Sequence, residues 1–268
     1  MDWITGDKFE NMGCLKFAPP IAASDDYSKL QNTFFLDKAI IEKPCVVYTH
    51  TMYVKQLFDV IKDLNNEFVI VSHNGDVNID FSPPDNVIKW FSQNVNISHE
   101  RIESLPIGLE NDRWYVDMHK KEKMINKSRE IRDIRNTVYI NHNIGTNPAE
   151  RNKPYQLLEG KPWVTSERGT NGHRFDEYID NIYNHRFVIC PRGNGIDTHR
   201  TWECLYMGTI PIEKRNLNNL FYTELPITFV DDWEDITEEF LKEEWWRINS
   251  RDWDMSMLSF NYWKNKIL

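Results

Sequence analysis

"FVICPRGNGIDTHRTWECLYMGTIPI", Phe187 to Ile212, reads as a strand, a glycine-broken loop, a helix and a second strand. "FVIC" and "TIPI" are short apolar runs bounded by turn residues, and "DTHRTWECLYMG" between them is long enough for a helix. A strand–helix–strand unit of this kind makes a right-handed crossover in a parallel sheet. The alternation continues outward. Upstream, "NTVYINHNIGTN" (136–147) is strand then loop, "AERNKPYQLLEG" helix, "PWVTSE" (162–167) strand and "HRFDEYIDNIYNHR" helix. Downstream, "LPITFVDDW" is a strand and "ITEEFLKEEWWRINS" a helix.

An earlier block shows the same rhythm. "PCVVYTH" (44–50) is a buried strand, and the helix at 52–64 spaces Val54, Leu57, Phe58 and Ile61 three to four apart. "EFVIVSHNGD" (67–76) is a strand entering a polar loop; a helix is expected near "PDNVIKWFSQN" and a short strand near "IESLPIGL". Residues 1–40 read as irregular, with "APPIAASDD" as a loop. The charged stretch 117–135 is a solvated helix or a linker. The expectation is α/β: an N-terminal Rossmann-like domain over 1–130, a second over 131–245, and a helical segment over 246–268 that could pack back on the first. Two such domains make a cleft between them the natural ligand site.

Composition narrows the partners. The chain has 268 residues, 40% hydrophobic and 27% charged, which suits a folded globular protein. Its net charge of −9 repels a phosphate backbone, and the basic run "HKKEKMINKSREIRDIR" (119–135) is interleaved with acids, so no nucleic-acid partner is expected. No apolar run is long enough to span a membrane, and "MDWITGDKFENMG" lacks the basic and apolar parts of a signal peptide. Four cysteines without CxxC or metal spacing fit reduced thiols, and the expected location is the cytoplasm. Most of the ten tryptophans are expected in packing.

Ligands of an open parallel sheet sit beyond the C-terminal strand ends. "PRGNGIDT" (191–198) occupies that place and leads into a helix. Glycines let backbone N–H groups approach an oxyanion, and the helix N-terminus adds partial positive charge. Arg192 and Arg200 could hold a diphosphate, and Glu203, one turn after Arg200, could accept from a ribose diol. The plain alternative is an Arg200–Glu203 surface ion pair beside a glycine turn. The loop has no Gly-Lys-Ser/Thr and is not a Walker A loop.

The run from Phe187 to Ile212 resembles the donor-binding region of exostosin-like glycosyltransferases, glycosyltransferase family 47. Phe187, Pro191, Gly193, Arg200, Glu203, Gly208, Ile210 and Pro211 match that signature; Cys204 stands for the usual alanine and Ile212 for valine. The strong match covers 185–236. With "YTHT", "VSHNGD" and "LPIGLEN" upstream, the form "PRGNGIDTHRTWE" is similar to small soluble relatives encoded by large algal DNA viruses, some of which transfer pentoses such as xylose. A virus-encoded chain would act in the host cytoplasm.

The resemblance implies a GT-B architecture, two Rossmann-like domains whose parallel sheets face each other across a cleft, with a nucleotide-sugar held by the second. It implies a UDP-sugar donor (UDP-xylose the first choice), a glycan acceptor and no required metal. Arg192 and Arg200 would neutralise the leaving diphosphate and Glu203 would hold the ribose. Gly193, Gly195, Asn194 and Asp197 would shape the loop or touch the sugar. Thr146, Asn147 and Arg151, in "NHNIGTNPAER" (141–151), are phosphate or sugar contacts, unless Asn147 merely caps a helix opened by Pro148. "TSERG" (165–169) is where the base would sit. An inverting transfer needs a general base from the first domain. Asp76 is the first choice, His73 the second, and His50 also stands at a strand end; "NGD" is equally good turn chemistry. A DNA-base glycosyltransferase and an inactive carbohydrate- or nucleotide-binding module are the alternatives. DNA binding at low salt would favour the first of these, and nucleotide binding without turnover the second.

Overall fold

The computed structural model describes residues 2–12, 15–17, 45–112, 119–168 and 175–268. The "APPIAASDD" loop and Cys14 lie outside them. The chain is α/β and divides into two compact units, 1–107 with 259–268, and 108–258.

In the first unit the described strands are β1 (Leu15–Phe17), β2 (Cys45–His50), β3 (Phe68–His73), β4 (Val87–Ser92) and β5 (Ile102–Ser104). They form one parallel sheet in the order β1-β2-β3-β4-β5. β3, "FVIVSH", is apolar and almost wholly buried, as a strand covered on both faces must be. Helix α2 (Val54–Ile61) buries the four residues its spacing selects, Val54, Leu57, Phe58 and Ile61.

Two expectations fail here. The stretch near "PDNVIKWFSQN" is not a helix but strand β4. Val87, Trp90 and Phe91 are spaced like a helix face, yet a run of six residues behind Pro83 and Pro84 is short enough to pair as a strand. Its burial is fixed by a neutral network: the Trp90 indole donates to Ser72 Oγ at 2.8 Å, and Ser72 and Ser92 share a hydrogen bond of 2.6 Å. Residues 2–17 are also not irregular throughout, for they hold helix α1 (Gly6–Glu10), capped by Thr5, and β1. The C-terminal helix α8 (Phe260–Ile267) belongs to this unit: Phe260 packs edge-on against Phe9 at 5.3 Å, and its N–H donates to the Asp2 carbonyl.

The second unit begins beyond residue 107, because helix α3 (Lys120–Ser128) packs on helix α5 (Phe175–Tyr183) through Lys123–Asp176 at 3.1 Å and Lys127–Asp180 at 2.5 Å. Residues 129–135 are exposed except for Arg132, which is partly buried. Arg132 donates to the carbonyls of Tyr183 (2.5 Å) and Gly208 (2.8 Å), tying together two helix C-terminal ends whose carbonyls have no partner within the helix. The strands are β6 (Asn136–Ile140), β7 (Val164–Ser166), β8 (His185–Ile189), β9 (Ile210–Lys214) and β10 (Thr228–Val230), all parallel in the order β10-β9-β8-β6-β7. Val138, Ile140, Phe187, Ile189, Ile210 and Ile212 form its core with Tyr155 and Leu158 of helix α4 (Pro148–Leu158) and Leu241 of helix α7 (Glu238–Asn249). Trp90, Trp202, Trp233 and Trp263 are fully buried, whereas Trp246 is exposed. Cys45, Cys190 and Cys204 are free thiols.

Candidate functional site

The second sheet starts in its middle. β6 lies between β7 and β8, so successive connections depart in opposite directions and leave a crevice at the β6 and β8 strand ends. The two loops there, 141–147 and 190–198, are bolted together by side chains. Asn147 Nδ2 donates to the Gly193 carbonyl at 2.9 Å, and Arg151 Nε to the Arg192 carbonyl at 2.9 Å. Arg151 also donates to the Asn143 carbonyl at 3.1 Å. Asn147 stands at the start of α4 but makes no side-chain cap, so its amide serves the neighbouring loop. A Cβ on Gly193 would lie 2.9 Å from the Arg151 guanidinium, so a side chain here would have to displace that brace. Thr146 and Asn194 are exposed, while Gly193 and Gly195 are buried.

Helix α6 (His199–Tyr206) follows the glycine loop. Asp197 shapes its entry: its carboxylate accepts from the Thr198 N–H (2.8 Å) and from the Trp202 indole (2.9 and 3.1 Å). His199 donates from Nδ1 to the Gly108 carbonyl at 2.8 Å, with Nε2 3.4 Å from Glu110. Among the described residues no ion pair joins Arg200 to Glu203; both instead converge on Tyr178. The Tyr178 hydroxyl donates to Glu203 at 2.5 Å, and the Arg200 guanidinium lies over the same ring at 5.1 Å. Burial raises the Tyr178 pKa, so the phenol stays a donor. Arg200 stays charged despite its burial.

Three polar atoms of this loop and helix are closed off from solvent with no hydrogen-bond partner among the described residues: Arg192 Nε, Thr198 Oγ1 and Arg200 Nη1. Each such atom costs about 1–3 kcal/mol, more when charged, unless a ligand satisfies it. Beside them lies a cavity of about 280 Å³ lined by Asn141, Glu167, Arg168, Glu177 and Tyr178. Of "TSERG", Glu167 and Arg168 line it: Glu167 accepts from Tyr139 (2.6 Å) and Asn141 (3.1 Å), and Arg168 stacks on Tyr155 at 4.4 Å.

His142 and Tyr178 escape sequence reasoning. Tyr178 reads as one more residue of an amphipathic helix. His142 follows β6 as a single histidine in a polar loop. It is 2% exposed, and its Nε2 bonds the Arg151 carbonyl at 2.7 Å. Burial, with Arg200, Arg151 and Arg168 nearby, holds its pKa down to about 3.

In the first unit, His50 and His73 face each other in register at the ends of β2 and β3. His73 lies in the interior. It is 1% exposed, its Nε2 is 3.0 Å from the Pro106 carbonyl, and its Nδ1 is 3.3 Å from Asn74 Oδ1, so both ring nitrogens are engaged. Asn74 itself adopts φ +59°. Two residues on, Asp76 is exposed.

No protein-family model matches the chain. No curated protein matches it either. Among the described residues, no three His, Cys, Asp or Glu side chains gather so as to hold a metal ion.

Proposed function

We propose that the chain is a nucleotide-sugar-dependent glycosyltransferase of the GT-B type, moving xylose or a related sugar from a UDP-sugar to a hydroxyl of a glycan or glycoprotein. The observation that carries this reading is the pair of closed-off, unpartnered guanidinium nitrogens, Arg192 Nε and Arg200 Nη1, at the crevice between β6 and β8. A diphosphate supplies the acceptor oxygens that this pair lacks. Glu203, oriented by Tyr178, takes the ribose diol, and the adjoining cavity takes the base. The exostosin-like spacing of Arg200, Glu203 and Gly208 supports the same assignment.

In the transfer, the acceptor hydroxyl oxygen attacks the anomeric carbon while the bond to the diphosphate oxygen breaks. The electron pair leaves with the nucleoside diphosphate, where Arg192 and Arg200 stabilise it. The hydroxyl proton passes to a general base, for which exposed Asp76 fits better than the engaged His73. A thermal-shift screen of nucleoside diphosphates and their sugars tests the donor site. UDP or a UDP-sugar is expected to raise the melting temperature; if no UDP or GDP derivative does, the assignment fails.

A further inference from the structure

A carbonyl oxygen only accepts, so the 2.7 Å contact with the Arg151 carbonyl places the His142 proton on Nε2 and leaves a lone pair on Nδ1. That Nδ1 is closed off from solvent and has no hydrogen-bond partner among the described residues. The position is not incidental. Asn141, the preceding residue, lines the cavity, and Arg151, whose carbonyl fixes the ring, braces the glycine loop. Burial, with the Arg200, Arg151 and Arg168 guanidinium groups nearby, keeps the ring neutral, so the lone pair stays an acceptor. An ionised diphosphate offers only acceptors and cannot satisfy it. A hydroxyl can.

We propose that His142 reads the ligand of this site: its Nδ1 accepts a hydrogen bond from a hydroxyl of the bound nucleotide-sugar and so distinguishes that ligand from bare diphosphate. The inference rests on the donor-site reading. The chemistry is the same whether the hydroxyl belongs to the ribose or to the transferred sugar, and the two sources separate in one experiment.

Calorimetry compares the full chain with His142→Phe, using inorganic pyrophosphate, UDP, GDP and UDP-xylose. The substitution is expected to leave pyrophosphate affinity within about twofold and to weaken hydroxyl-bearing ligands about tenfold, the worth of one hydrogen bond. A loss already present with UDP or GDP assigns the ribose, and one confined to UDP-xylose assigns the transferred sugar. Equal loss with pyrophosphate, or no loss with any ligand, overturns the inference but not the donor site. If the unsubstituted chain binds none of the four, both fall. A second measurement needs no variant: the Nδ1 nitrogen-15 resonance of His142 moves upfield on adding UDP-xylose and not on adding pyrophosphate. A resonance that stays in place with UDP-xylose bound also overturns it.

Discussion

The first sheet adds its strands in chain order from β1 to β5, whereas the second begins at β6 and builds outward to both sides. Both nevertheless strand polar atoms at the ends of their strands. In the first unit these are Thr51 Oγ1 after β2, Asn78 Oδ1 after β3 and Gln93 Oε1 after β4, all uncharged. In the second they are His142 Nδ1 after β6, and Arg192 Nε, Thr198 Oγ1 and Arg200 Nη1 after β8, dominated by cations. The reversal of strand order decides where a crevice opens, and the charge of the orphaned groups decides what it suits. A neutral, acceptor-rich edge suits a hydroxyl-bearing ligand; a cationic one suits a diphosphate.

A crossed pair of substitutions puts this division to its hardest test. Asp76→Asn is expected to lower turnover by about 10²–10⁴-fold while leaving nucleotide affinity unchanged. Arg200→Met is expected to weaken UDP or GDP binding by up to about a hundredfold, the worth of a hydrogen bond from a charged group. Steady-state kinetics and calorimetry on the same preparations read both effects. A fall in nucleotide affinity in the Asp76 variant would erase the contrast between the two units.

How much of this was legible depends on what kind of signal each residue leaves. The second sheet was readable because its apolar runs alternate with helices of ordinary length, and spacing alone placed Arg200 and Glu203 on one helix face. Their relation was not readable. Spacing suggests an ion pair, while the fold inserts Tyr178 from a helix more than twenty residues upstream, a contact without any local trace. His142 is hidden for the same reason, since its partners come from α4 and α6. β4 was misread because six residues cannot distinguish a helix period from a strand that buries four of its side chains. The first unit also joins β3 to β4 and β4 to β5 without a helix, so the alternation that identifies the second sheet stops there.

The loop bracing offers a sharper and smaller test. Gly193→Ala drives a methyl group into the Arg151 guanidinium, which must swing away from the Arg192 carbonyl or push the loop. The expected cost is about 1–3 kcal/mol of stability, with a drop in nucleotide affinity, because the closed-off nitrogens lose their setting. Gly75→Ala makes the matching change in the first unit, where the new Cβ would meet Thr51 Oγ1 at 2.3 Å. It is expected to destabilise without touching nucleotide affinity. Chemical denaturation and calorimetry on the two variants show whether the bracing serves the ligand or only the fold.

The smallest effect concerns pH. Sheet one buries a neutral Ser72–Ser92–Trp90 network, but sheet two buries a carboxyl, Glu213, which accepts from Thr201 and from Asn219 Nδ2 at 3.0 Å. Burial raises the Glu213 pKa, more than those hydrogen bonds lower it. A raised carboxyl contributes stability that is full below the unfolded value of about 4.3 and is lost as pH climbs through the folded value. Asp180 behaves in the opposite sense: its burial is outweighed by Lys127 and Arg135, and its contribution is lost only as pH falls. His142 and His185, held neutral chiefly by burial, also lose stability as pH drops below about 6.5. A single pH–stability curve therefore mixes opposing slopes, and the informative quantity is a difference. Subtracting the Glu213→Gln curve from that of the unsubstituted chain, by urea midpoints from about pH 4.3 upward, is expected to leave a term that falls with rising pH. A flat difference would mean that the buried carboxyl of the second sheet is as silent electrostatically as the serine network of the first.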